Sequence, residues 1–183
     1  MNLMRKGFRI MNKFFMVPAF RLGLGPILGS PFGGYIMVLK TRGRKTGRWR
    51  YTPLNYAISN GSVYWIAGFG KVSHWYRNIL AEPAVELILP AMAAAGKTEI
   101  VNDAAERQTV IRQVMINSGF AAFVFGGFNP YSLTDERLRE LGKEYLVFRL
   151  RPAGIGSGPS DPEGWRWFWP ALALAALIWW LLR

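Results

Sequence analysis

Five cations, Arg42, Arg44, Lys45, Arg48 and Arg50, fall within the nine residues from Arg42 to Arg50, at the stretch Gly43-Arg44-Lys45-Thr46-Gly47-Arg48-Trp49-Arg50-Tyr51-Thr52-Pro53. Such a density of charge can hold a phosphate or a carboxylate. The two glycines allow the backbone to reach positive φ, which would turn amide N–H groups toward the same anion. A solvated basic hairpin turn has the same composition, so the loop has to be weighed against the rest of the chain.

Other chemistries are thinly supplied. The absence of cysteine excludes a disulfide scaffold, a thiolate nucleophile and cysteine-based zinc or iron–sulfur sites. His74 is the sole histidine, so a histidine-rich metal centre or a Ser-His-Asp triad would have to be built on one residue. It stands at an expected helix start, where a capping or surface role competes with a catalytic one. The charge is also unevenly placed. Every Asp and Glu lies at Glu82 or beyond, whereas 13 of the 23 Lys and Arg precede it, within a net charge of +12. The first half is therefore suited to an anion: a phosphorylated cofactor, an anionic lipid surface or nucleic acid. Nucleic acid ranks last, because the bases are not spread along one helix and no nucleic-acid module accompanies them.

The elements that must carry the loop form a run of strands. Tyr35 to Lys40 and Tyr51 to Ile58 flank it, and Ser59-Asn60-Gly61-Ser62 is a hairpin turn of the Asn-Gly kind leading into Val63 to Ala67. Gly68-Phe69-Gly70-Lys71 is a glycine-hinged loop, and Ser73 precedes a helix over His74 to Leu80 that Pro83 ends. Val85 to Leu89 and Lys97 to Val101 are two further strands, with an Ala-rich turn between them. Asp103 caps a helix to about Ile116, closed by Gly119; Thr134 to Leu141 is a short charged helix; Tyr145 to Arg151 is the last strand. Phe120 to Tyr131 is aromatic and glycine-rich, suited to a pocket wall, a lid or an ordinary loop over the core. These elements predict an α+β fold, a split β-barrel of about six mostly antiparallel strands with peripheral helices.

Four segments follow from the composition. Residues 1–34 are basic and amphipathic, with a helix expected to break near Pro18 and a loop from Gly25 to Gly34; a secretory signal is the rival for this segment, but an uninterrupted apolar run is lacking. Residues 35–151 form the barrel, and 152–164 a flexible linker rich in Gly, Pro and Ser. In 165–183, Trp167 to Leu182 is an uncharged run of sixteen between Arg166 and Arg183. As a helix it would reach ~24 Å at 1.5 Å per residue, against a hydrocarbon core of ~30 Å. Its flanking tryptophans favour a membrane anchor, spanning or deeply embedded, over a buried core helix, with the basic half on the cytoplasmic face of the cell membrane.

Taken in order, Gly43-Arg44-Lys45-Thr46-Gly47, Arg50, Pro53, Ala67-Gly68, Trp75-Tyr76-Arg77-Asn78 and Ala81-Glu82-Pro83 resemble the deazaflavin-dependent nitroreductase family, the split-barrel quinone and nitro reductases that use coenzyme F420. The resemblance covers residues 36 to 101 well, the rest to 151 loosely, and the terminal apolar run not at all. It implies a cofactor with a phosphodiester and an acidic oligoglutamate tail, which accords with the basic loop. It further implies that Lys45, Gly47 and Arg50, in one loop with Arg44 and Thr46, hold the phosphate and tail. Thr52 and Pro53 would border the deazaflavin ring, Ala67 and Gly68 would run beside it, and Trp75 and Asn78 would approach from the helix. Many members carry Ser-Lys where this chain has Gly68-Phe69, and Pro where it has Trp49; Lys71 would replace the missing cation.

Hydride would leave the reduced ring itself, so the protein needs to bind, orient and exclude water, and needs no nucleophile. Phe123, Phe125, Phe128 and Tyr131 would stack on a flat quinone. The proton for the reduced acceptor would come from Tyr131, from another pocket tyrosine or from solvent. The expectation is a membrane-associated reductase passing hydride from reduced F420 to a quinone or nitro compound, with no metal and no nucleic acid. Two alternatives stand beside it: an FMN-dependent reductase on the same barrel, and a non-catalytic cofactor-binding subunit of a membrane complex.

Overall fold

The computed structural model describes residues 7, 10–29, 34–68, 70–90, 92–119, 122, 129–155 and 168–182. Among these described residues there are seven strands: β1 (Ile36–Arg42), β2 (Trp49–Ser59), β3 (Ser62–Ile66), β4 (Ala84–Ile88), β5 (Ala93–Ile100), β6 (Val147–Leu150) and β7 (Gly154–Ile155). Their order is β4-β1-β2-β3-β6-β5-β7, and an additional β4–β5 pairing closes the first six into an antiparallel barrel. Closure leaves no open edge among those six, and it sets one face of each strand inward.

The inward face is apolar and aromatic. Met37 and Leu39 of β1, Leu87 of β4, Trp65 of β3, and Phe148 and Leu150 of β6 are fully buried in one cluster. Phe148 is its hub, stacked on Trp65 at 5.8 Å and met edge-on by Trp75 and Tyr76 at 5.3 and 6.0 Å. Trp75 and Tyr76 come from α3 (His74–Ala81), which plugs the barrel. The β2–β3 turn takes the primed geometry that strand twist favours, with Asn60 at φ 47° and Gly61 at φ 70°.

Two helical layers cover the outside. One is α4 (Ala104–Asn117) with α5 (Asp135–Glu144), burying Val110, Ile111, Val114 and Leu138 against Ala57, Tyr64 and Val147. The Asp103 side chain caps α4 by accepting from the Glu106 amide at 2.7 Å, as its position predicts. Ser73 has extended backbone before α3 but makes no side-chain cap. The other layer is N-terminal: a π-helical turn Asn12–Met16 runs into α1 (Val17–Arg21) and then α2 (Gly25–Leu28), seating Met16 and Phe20 on Val38 and Ile88.

Five sequence expectations change here. The helix does not break at Pro18, because the preceding turn is widened to an i→i−5 bond, Val17 N–H to Asn12 O, which relieves the clash of a proline ring with the turn before it. Part of the Gly25 to Gly34 loop is helical, with Pro26 in the first turn of α2. Ala93 to Ala95 are strand and not turn; pairing with β4 overrides the low strand preference of alanine, and the reversal falls at Leu89 to Met92. Gly154–Ile155 pairs with Ala94 and Ala95, so the start of the expected linker is sheet. Finally, α6 (Phe168–Leu181) has 14 residues, ~21 Å of helix, and no helix among the described residues is long and apolar enough to cross a membrane.

Candidate functional site

The basic loop is the β1–β2 hairpin connection, and its backbone is tied to itself. Gly43 O accepts from the Thr46 and Gly47 amides at 3.0 and 2.7 Å, and the Gly43 amide donates to Arg48 O at 2.9 Å. Gly47 reaches φ 64°, a conformation that L side chains resist. At Gly43 the constraint is steric instead, since an added Cβ would stand 3.0 Å from Arg48 O. The expected turning of loop amides toward an anion is therefore not what this loop does. The Thr46 and Gly47 amides are used in closing the turn, so the charged side chains are the main groups left for an anion.

Those side chains divide between two faces because strand neighbours alternate. On β1, Lys40 and Arg42 share the outer face with Val38, while Thr41 shares the inner one with Leu39. Trp49, opposite Arg42, carries Lys40 Nζ at 4.5 Å and Arg42 Cζ at 4.1 Å from its ring centroid. Lys40 is anchored beneath by Glu86 at 2.8 Å across the β1–β4 pair. Tyr51 continues this outer row, with Arg21 of α1 at 5.7 Å from its ring. Arg50, opposite Thr41, lies under the loop, its Nε 3.4 Å from where a Gly43 Cβ would be.

Asn78 joins the loop to the plug helix. It is buried, donates from Nδ2 to Thr41 Oγ1 at 3.3 Å, and accepts at Oδ1 from both the amide and Nη1 of Arg44. The glycine-hinged loop after β3 reaches the other side of α3: Ala67 is buried with its amide on Leu146 O, Gly70 at φ 58° donates back to Ala67 O, and Gly68 and Lys71 are exposed. No added Cβ at Gly68 would meet an atom within 4 Å. Among the described residues none of Arg42, Arg44, Lys45, Arg48, Arg50 and Lys71 pairs with a carboxylate. Such unopposed cations suit a ligand with several negative charges.

The other expected site residues are placed as follows. Lys45, Thr46 and Gly47 are exposed at the loop tip, and Thr52 and Pro53 are half-buried on β2. Trp75 is committed to the core against Phe148. Tyr131 sits on a single 3-10 turn, Pro130–Ser132, beside α4, and is 68% exposed. Arg112 Nη1 fixes the following Leu133 by its carbonyl at 3.0 Å. Phe123, Phe125 and Phe128 lie outside the described residues. Sequence reasoning missed Thr41 and the Lys40–Glu86 pair; the alternation of charged Lys40 and Arg42 in an otherwise apolar strand was the available signal.

A polar recess of about 420 Å³ lies elsewhere, lined by Asn60, Tyr64, Glu106, Arg149 and Arg151 among others. Its charges are matched at Arg149 and Glu106, while Arg151 makes no ion pair among the described residues. Arg149 bonds Glu99 and Glu106 at 2.7 and 2.8 Å, Tyr64 donates to Glu106 at 2.8 Å, and the Glu99 carboxyl is held below its ordinary value chiefly by its bond to Arg149. Those bonds tie α4 to β6.

Among curated proteins none matches the chain. Solved structures do. A 5-nitroimidazole antibiotic resistance protein from Bacteroides thetaiotaomicron is 11% identical with a TM-score of 0.50, covering 67% of this chain and 75% of its own. A conserved hypothetical protein from Mycobacterium tuberculosis is 16% identical with a TM-score of 0.46, covering 65% and 73%. At such identity the first of these shows the shared fold alone. A profile of the F420H(2)-dependent quinone reductase family matches residues 18–122, more than half of the chain, and takes in β1 to β5, the basic loop and Asn78. The chain belongs to the F420H(2)-dependent quinone reductase family.

Proposed function

We propose that the protein binds reduced coenzyme F420 through the loop cations and passes a hydride to a quinone or nitro-type acceptor. The observation that carries this is the cluster of loop cations, unopposed by acids among the described residues and braced on buried Asn78, in a chain of this family. Arg44, Lys45, Arg48, Arg50 and Lys71 would hold the phosphodiester and the acidic tail, whose several charges match several unpaired cations better than a single phosphate does. Thr52, Pro53, Ala67 and Gly68 would border the ring. The open space over Gly68 supports close approach of a flat group.

The bound cofactor supplies the hydride, two electrons with one proton. The protein's part is to position it and to exclude water. Reduction of a quinone to the hydroquinone then takes one further proton, assigned here to Tyr131. The apolar helix α6 supports attachment to the cytoplasmic face of the cell membrane, where lipid-soluble quinones reside.

Detergent-solubilised protein titrated with F420 and with FMN, followed by menadione added to the reduced deazaflavin complex, tests the reading. Binding of F420 and acceptor-dependent reoxidation are expected. Tight FMN binding without F420 binding would favour the FMN-dependent alternative, and binding without reoxidation a cofactor-binding subunit.

A further inference from the structure

Both terminal helices present apolar surface to solvent. The large side chains of α6 are between 42% (Trp169) and 67% (Trp180) exposed, on every side of the helix. A helix apolar all round cannot be satisfied by one groove, because a groove covers one face and leaves the rest wet. At ~21 Å it is also too short to cross a ~30 Å hydrocarbon layer. A helix apolar all round suits immersion in the acyl layer.

The N-terminal helices supply a second apolar strip. Met16 and Phe20 face the barrel, while Ile10, Met11, Phe14 and Phe15 project outward with exposures of 43–69%, and Ile27 is 71% exposed. The two surfaces meet at one bond: Trp169 Nε1 donates to Leu22 O at 2.6 Å, at the end of α1. Lys13 belongs to the same strip, with its Nζ 4.9 Å from the Phe14 ring centroid, and no acid precedes Glu82 in the chain.

We infer that α6 and the N-terminal helices form a single docking surface for an anionic lipid leaflet, with α6 embedded in the acyl region and the Ile10 to Phe15 strip lying beside it. This deepens the membrane attachment proposed above and rests on it. Anionic lipid is the favoured occupant because exposed Lys13 accompanies the apolar side chains, the sequence adds Arg5, Lys6 and Arg9 just before it, and acids are lacking from this half of the chain. A second copy of the chain would bring the same positive charge to the contact.

The test is flotation of the full chain with vesicles of phosphatidylcholine alone or with one-third phosphatidylglycerol. Binding should be at least tenfold stronger to the anionic vesicles and should weaken with salt. Leu174→Glu with Ile178→Glu, and separately Phe14→Glu with Phe15→Glu, should each lower partitioning at least tenfold. The idea fails if either pair leaves partitioning within twofold of the parent, if neutral and anionic vesicles bind alike, or if the unmodified chain is a dimer that ignores vesicles. A check independent of variant folding is tryptophan fluorescence of the parent chain, which brominated acyl chains should quench; no quenching would overturn embedding. Turnover with soluble menadione in the absence of vesicles should be unchanged by the variants. A failure of docking and a failure of the reductase assignment are thereby read on separate measurements.

Discussion

Asn78 Oδ1 accepts hydrogen bonds from both the backbone amide and Nη1 of Arg44, each at 3.3 Å, from a buried position on α3. One side chain thus fixes the start of the basic loop relative to the helix that plugs the barrel. Replacing it by alanine leaves the Thr41 hydroxyl and the Arg44 amide without that partner. Asn78→Ala should cost about 1–3 kcal/mol of stability in urea unfolding. F420 affinity should fall about tenfold, which corresponds to ~1.4 kcal/mol, because Arg44 is no longer held. Unchanged affinity in a destabilised variant would confine Asn78 to a structural role.

Lys45 and Arg50 are proposed to act on the ligand by charge, and neither makes an ion pair that would support the fold among the described residues. Both are exposed. Lys45→Ala with Arg50→Ala should keep the urea midpoint within experimental error and weaken F420 binding by about a hundredfold, ~2.7 kcal/mol. The salt dependence of binding should become shallower in the same variant, since fewer charges are being screened. An unaltered dissociation constant by fluorescence titration would remove these two cations from the site.

How far the sequence leads depends on whether a signal is local. The barrel strands, the Asn60-Gly61 turn, the Asp103 cap and the basic loop all rest on short-range chemistry, and each is found within a few residues of its expected place. Ala93 to Ala95 misled because alanine carries no strand preference; only its partners on β4 make it a strand. Pro18 misled because a wider helical turn upstream absorbs it. The loop amides misled because positive φ at Gly47 serves to close the turn on Gly43 O, a bond that composition does not reveal. The use of Asn78 as a brace depends on a contact 34 residues distant; the family resemblance implies a place near the cofactor for Asn78 but not its bond to Arg44.

The Lys40–Glu86 pair lies on the outer face of β1 and β4 with side-chain exposures of 5% and 15%, so water screens it poorly. Removing one partner takes that contact from a charge that stays poorly hydrated. Lys40→Met should therefore destabilise by about 3 kcal/mol, whereas Lys40→Met combined with Glu86→Leu should lie within about 1 kcal/mol of the parent. The double variant also takes the cation off the Trp49 ring, a contact of roughly 0.5–1 kcal/mol. A double-mutant cycle in urea measures the difference, and additive single effects would mean the pair is uncoupled.

Tyr56 makes stability sensitive to alkali. Burial, and secondarily the nearby Tyr35, push its phenol above the ordinary value of 10.0. A raised value means that the unfolded chain ionises first. The contribution is fully present below about pH 10 and is lost as pH rises through the folded-state value. Urea midpoints should fall above that pH, and Tyr56→Phe should flatten the decline while leaving neutral-pH stability nearly unchanged. An equally steep decline in the phenylalanine variant would assign the effect to other tyrosines.

Tyr131 is the proposed proton donor, and its surroundings limit how much it can contribute. Its amide is fixed by Asn129 Oδ1 at 2.9 Å, which sets the backbone, while the ring is 68% exposed. Water can therefore approach the same place. General acid catalysis by a well-placed group typically gives 10²- to 10⁴-fold, so a donor that solvent can replace should contribute less. Tyr131→Phe should lower kcat with menadione by roughly tenfold, keep KM for F420 unchanged, and reduce the solvent deuterium isotope effect if proton delivery by the phenol limits the rate. A lower KM-corrected rate without any change in isotope effect would instead mark Tyr131 as a packing surface for the acceptor. A rate within twofold of the parent would leave solvent as the proton source.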